Sequence, residues 1–109
     1  MKFEKYFPLP WKLVDNFIIK ANNGNSPMMI YPFDFSIDGE DIVNVINGKS
    51  TSSYTDVRYN NNTQTILSNN EPILTITLLR SDVIDCDINE RLEILNELTS
   101  WVVNKLSKC

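Results

Sequence analysis

Asp87-Ile88-Asn89-Glu90-Arg91-Leu92-Glu93-Ile94-Leu95-Asn96-Glu97-Leu98-Thr99-Ser100-Trp101-Val102-Val103-Asn104-Lys105-Leu106 is the stretch on which the reading of this chain turns. Leu92, Leu95, Leu98, Val102 and Leu106 recur at three- and four-residue spacing, flanked by Ile94 and Trp101. That is the period of an amphipathic helix with one face on a core. Asp87 and Glu90 have capping-box spacing, with Asp87 as the cap and Glu90 reaching back to it. Lys105 and Lys108 fall where cations suit the negative end of the helix dipole. The helix is expected to lie across a sheet, with its leucine stripe and Trp101 buried. A fully buried Trp101 would cost roughly 3–5 kcal/mol on truncation to alanine.

Upstream lies the clearest strand, Ile73 to Arg80, in which Leu74, Ile76 and Leu78 share one face and Thr75, Thr77 and Leu79 the other. The threonine face reads as half solvated, which favours an antiparallel sheet covered on one side. Tyr54 to Tyr59 and Gln64 to Ser68 form a hairpin about the Asn60-Asn61-Asn62 turn. Asp38 to Gly48 reads as a short helix: Asp38 caps it, Glu40 and Asp41 suit its first turn, and Gly48 supplies a left-handed stop. Its buried stripe is Ile42, Val45 and Ile46. Before it, Trp11–Val14, Phe17–Ala21 and Pro27–Tyr31 make a β-meander turning at Asp15-Asn16 and at Asn22 to Asn25. The sum is an α+β fold: an antiparallel sheet of about five or six short strands, a short middle helix, and a long C-terminal helix packed on the sheet. No repeat or linker divides the 109 residues, so one domain is expected.

Ten basic and fourteen acidic residues leave a net charge of −4. A phosphate backbone would be repelled on average, and no basic stripe offsets that, so no nucleic-acid partner is expected. No apolar run has the length of a membrane span, and residues 1–6 lack a signal peptide's apolar core. Cytoplasm is the expected location, which leaves the Asn61-Asn62-Thr63 sequon unglycosylated. The chain has no histidine, which excludes Ser-His-Asp and Cys-His catalysis and every His-containing metal site. Cys86 and Cys109 lack metal-ligand spacing and read as reduced thiols.

Three groups of residues are candidates for chemistry or binding. Asp34, Asp38, Glu40 and Asp41 are dense enough in oxygen to suggest a divalent cation, but their spacing does not match a calcium loop and helix capping explains three of them. Asp82, Asp85, Asp87 and Glu90 offer paired carboxylates without a partner nucleophile or base, and the three glycines cannot form a phosphate loop. No metal, cofactor or catalytic set is therefore expected. Phe3, Tyr6, Phe7 and Trp11, interleaved with Pro8 and Pro10, suggest an extended, aromatic contact segment. The competing reading is that these rings cover one end of the core. Burial of Phe3, Phe7 and Trp11 against the last helix would decide for the core.

Leu9-Pro10-Trp11-Lys12 followed by Phe17-Ile18-Ile19-Lys20-Ala21-Asn22-Asn23-Gly24 resembles small phage and prophage proteins. These open on a Leu-Pro-Trp strand and an Asn-Gly hairpin and finish on a helix; here a helix and further strands intervene. The resemblance carries no catalytic residues over and implies a mobile-element origin, with action in the host cytoplasm. The order of strands and helices is also similar to that of type III secretion chaperones. The expectation is a non-enzymatic protein-binding module, of the kind a phage uses to inhibit a host defence or regulatory protein. Phe3, Tyr6, Phe7, Trp11, Asp34, Asp38, Glu40 and Asp41 are its contact candidates, and its partner is expected to have a basic surface. The alternative is a small acidic homodimeric chaperone or assembly factor; a carboxylate- or metal-dependent enzyme ranks below both.

Overall fold

Two three-stranded meanders build the sheet. In the computed structural model, residues 2–31, 39–77 and 87–107 are described. The first meander is β1 (Lys12–Val14), β2 (Ile18–Lys20) and β3 (Met28–Ile30). Asp15 and Asn16 turn it with φ of 55° and 69°, the left-handed conformation that Asp and Asn tolerate best. The second is β4 (Val57–Asn60), β5 (Thr65–Ser68) and β6 (Glu71–Ile76), the last two joined through Asn69 and Asn70, again at positive φ. Antiparallel pairing of β3 with β6, Met28 opposite Ile76 and Ile30 opposite Leu74, fuses the halves. The result is one six-stranded sheet in the order β1-β2-β3-β6-β5-β4. It has the expected α+β class, with a short helix and a long C-terminal helix.

The short helix α2 (Gly39–Ile46) buries Ile42, Val43, Val45 and Ile46. Its stop is the expected one: Gly48 has φ 78°, its N–H bonds the Val45 carbonyl, and the Lys49 N–H bonds that of Asn44. That is a Schellman end, which needs a residue without a Cβ penalty. At the other end a Cβ on Gly39 would lie 3.1 Å from Leu13 and 3.2 Å from Ile30, so α2 starts in close contact with β1 and β3. The expected cap, Asp38, lies outside the described residues.

The long helix α3 (Ile88–Leu106) starts where its cap predicts, with the Glu90 N–H donated to Asp87 Oδ1 at 2.8 Å. Only half of the capping box forms, because the Glu90 carboxylate accepts the Tyr6 hydroxyl at 3.1 Å instead. Ile94, Leu95, Leu98, Val102 and Leu106 are buried, but Leu92 is 45% exposed. At 3.6 residues per turn Leu92 falls about 40° beyond the edge of that buried arc. Trp101 is half-buried rather than enclosed. Its ring lies on Phe3 and Trp11, with centroids 5.0 Å and 5.8 Å away, and Lys105 Nζ sits 5.6 Å from its centroid.

Three further expectations change. Thr75 is buried rather than half solvated, because β6 is a central strand and Thr75 pairs with the buried Thr65. β4 begins at Val57 and not Tyr54, since Asp56 adopts φ 50° and breaks the extended run. β6 begins at Glu71 and admits Pro72, which sits opposite Leu67 beside the bulge at Ile66/Leu67, where a missing N–H is tolerated. The expected continuation of β6 through Leu78 to Arg80 lies outside the described residues.

Candidate functional site

The aromatic N-terminal segment is core, not surface. Residues Lys2–Tyr6 form a helix, α1, where the sequence suggested extended chain. Phe3 and Phe7 are fully buried and Trp11 is 2% exposed. Their partners are on the same chain: Phe3 and Trp11 pack on Trp101, the Trp11 indole N–H bonds the Phe7 carbonyl at 3.0 Å, and the Phe3 N–H bonds Glu97 Oε1 at 3.0 Å. Phe3, Phe7 and Trp11 therefore offer no contact area to another molecule, and their assignment as docking residues is withdrawn. A small domain with a short sheet needs these rings to fill the end of its core. Tyr6 is half-buried, with its hydroxyl held by Glu90.

Among the described residues the acidic candidates are not brought together as a site. Glu40 is exposed and Asp41 half-buried in the first turn of α2. Asp34, Asp38, Asp82, Asp85 and Cys86 lie outside the described residues, as does Cys109. Among the described residues no three His, Cys, Asp or Glu side chains gather closely enough to hold a metal ion. No helix of the described residues is long and apolar enough to cross a membrane.

The two edges of the sheet are finished differently, and this difference marks the candidate site. At the β1 edge the Asn47 side chain acts as a short piece of strand. Its Oδ1 accepts the Trp11 N–H at 2.8 Å and its Nδ2 donates to the Trp11 carbonyl at 2.7 Å. Pro10 precedes Trp11 and brings no donor. A loop amide and a proline are two of the ways in which an edge is made unable to pair.

At the β4 edge no such cover is found among the described residues. The hydrogen-bond phase follows from two bonds. The Ile76 N–H reaches the Gln64 carbonyl at 2.8 Å, so Gln64 and Ile66 face β6 and Thr65 and Leu67 face β4. The Asn69 N–H reaches the Asp56 carbonyl at 3.3 Å, which gives the same phase from the β4 side. Arg58 and Asn60 thus bond β5, while the N–H and C=O of Val57 and Tyr59 point away from the sheet.

Beside this edge runs α3, and between them lies a groove of about 540 Å³. Val57, Arg58 and Tyr59 form one wall, and Asn96, Ser100 and Val103 are on the other. Among the described residues Arg58 is the one charged residue of that lining, and Asp56 holds its Nη2 through both carboxylate oxygens at 2.8 Å. The Tyr59 hydroxyl is buried without a hydrogen-bond partner, and burial raises its pKa above the ordinary phenol value. Ile88 and Leu92, 63% and 45% exposed, extend this side of α3 toward its N-terminus. At 3.6 residues per turn Ile88, Leu92, Asn96 and Val103 fall within about 80° of one another. No protein-family model, characterised protein or solved structure matches the chain.

A second depression, of about 370 Å³, lies on the opposite face of the sheet over Thr65, Leu67 and Thr75. Its hydroxyls are engaged internally: Thr63 and Thr65 Oγ1 bond each other at 2.7 Å, and Thr75 Oγ1 lies 3.5 Å from the Gln64 carbonyl. The β4–α3 groove, by contrast, combines outward-facing backbone groups, an unpartnered hydroxyl and uncharged polar side chains of α3, with exposed apolar side chains further along the helix. Sequence reading placed a strand and a helix there but had no means of placing one beside the other. The one local signal was the Val57/Tyr59 alternation, which by itself is only a strand.

Proposed function

We propose that this chain is a protein-binding module and not an enzyme, and that it binds through the β4 edge and the α3 wall beside it. The observation that carries the reading is the β4 edge, which none of the described residues covers, in a sheet whose other edge is capped at Trp11 by Asn47. Unpaired edges are a liability that proteins cover unless the edge is used. The acidic balance of the chain favours encounter with a basic partner, although among the described residues the groove is uncharged apart from Arg58, which is paired with Asp56. The likeness of residues 9–24 to small phage proteins supports a host defence or regulatory protein as that partner, met in the cytoplasm of the host.

Two photoreactive variants test the reading. One carries the crosslinker at Ser100 in the groove wall; the other carries it at Lys20, on the first meander. Each is incubated at low salt with extract of the cells that contain the protein. The expected result is one specific protein captured from Ser100 and absent from Lys20. Failure of both positions to capture any specific protein refutes the reading.

A further inference from the structure

Val57 and Tyr59 are the residues of β4 whose backbone groups face outward, and their side chains lie on the same face of the sheet as Ile66, toward α3. These facts constrain whatever completes the edge. A partner has to offer alternating donors and acceptors at the two-residue repeat of a strand, which an extended backbone does. In an antiparallel pair, directly opposed residues share a face. The two residues that exchange hydrogen bonds with Val57 and Tyr59 would thus also direct their side chains into the groove against Val103.

We infer that the groove, lined on its helix side by Asn96, Thr99, Ser100, Val103 and Asn104, takes an extended segment of the partner protein as a seventh, antiparallel strand, with uncharged side chains at the alternate positions that hydrogen-bond Val57 and Tyr59. This rests on the protein-binding reading and adds its mode and the chemistry of the recognised segment. The uncharged lining argues the side-chain class, because a charge placed there would be desolvated without a counter-ion: Arg58 is already held by Asp56. The intervening side chains lie on the outer face beside Arg58, where polar residues are accommodated.

A second copy of the chain fits this edge poorly in the register that engages both Val57 and Tyr59. The two-fold register that uses both Val57 and Tyr59 pairs each with the other, which places Arg58 directly opposite its own symmetry mate. Like charges opposed across strands are destabilising. Centring the pair on Val57 instead recruits Asp56, whose φ of 50° cannot continue a ladder.

The probe is an acetylated, amidated heptapeptide, Lys-Val-Thr-Val-Thr-Val-Lys, whose terminal lysines suit an acidic protein. Its affinity is measured by titration, and protection of the Val57 and Tyr59 amides by hydrogen exchange. The expected result is slowed exchange at those two amides on binding. N-methylation of the valines weakens binding at least about tenfold, and N-methylation of the threonines by far less. Ser100→Trp, at an exposed helix position, fills the groove and weakens binding similarly while the melting temperature is unchanged. Absence of binding up to about 1 mM overturns the inference. So does equal tolerance of both methylation patterns, unchanged exchange at Val57 and Tyr59, or a dimer by light scattering that occupies the edge. A partner from extract that still binds the Ser100→Trp protein would retain the protein-binding reading and reject strand addition.

Discussion

Tyr59→Phe isolates the unusual polar atom of the groove. The Tyr59 hydroxyl is buried with no hydrogen-bond partner, while the ring packs against the core. An unsatisfied buried hydroxyl costs roughly 1–3 kcal/mol, and its removal without change of shape recovers part of that. Since Tyr59 is half-buried and relaxation admits some solvent, a gain of about 1 kcal/mol is expected. For a domain of this size the melting temperature should rise by about 4 °C. The pH dependence gives a second, independent signature. Burial raises the folded-state pKa of the phenol above the value near 10 of the unfolded chain. The folded state therefore binds the proton more tightly, and this contribution is fully present below the unfolded pKa. It is lost as pH rises through the folded one. Wild-type stability should fall above about pH 10 more steeply than that of Tyr59→Phe. Urea unfolding followed by circular dichroism at pH 7 and at pH 10.5 measures both effects. A loss of stability at pH 7 would show that the hydroxyl is satisfied in the folded protein, and parallel pH profiles would show that it is reached by solvent.

Asn47→Ala removes both hydrogen bonds to the Trp11 backbone and should destabilise the protein by about 2 kcal/mol in urea unfolding. It should also open the β1 edge, seen as faster exchange at the Trp11 amide. Trp101→Ala should cost about 2 kcal/mol, because the half-buried indole loses its contacts with Phe3 and Trp11 but encloses less area than a core tryptophan. A cost of 4 kcal/mol or more would place it in the core. Leu92→Glu, on the exposed side of α3, should leave the melting temperature within about 2 °C of wild type and yet weaken capture from the Ser100 crosslinking position. Equal capture would remove the N-terminal half of α3 from the docking surface.

The sequence by itself determined what rests on neighbouring residues. Asp15-Asn16 and Asn69-Asn70 turn hairpins because their side chains tolerate positive φ, and Gly48 stops α2 for the same steric reason. Asp87 starts α3 because its carboxylate reaches an N–H three residues on. The α+β class followed from these local rules and from two hydrophobic periods. Tertiary structure decided whatever depends on residues far apart in the chain. Whether Phe3, Phe7 and Trp11 faced solvent or core turned on α3, more than eighty residues away, where Glu97 and Trp101 receive them. Leu92 fits the leucine period as well as Leu95 does, and only the direction of the buried arc separates them. Thr75 is buried because β6 became a central strand, and the backbone groups of Val57 and Tyr59 face away from the sheet because β4 became an edge. A residue's alternation along a strand is local, but the neighbour that its backbone meets is a property of strand order. The candidate site is built from such long-range neighbours, β4 beside α3, and so it became legible only in the folded chain.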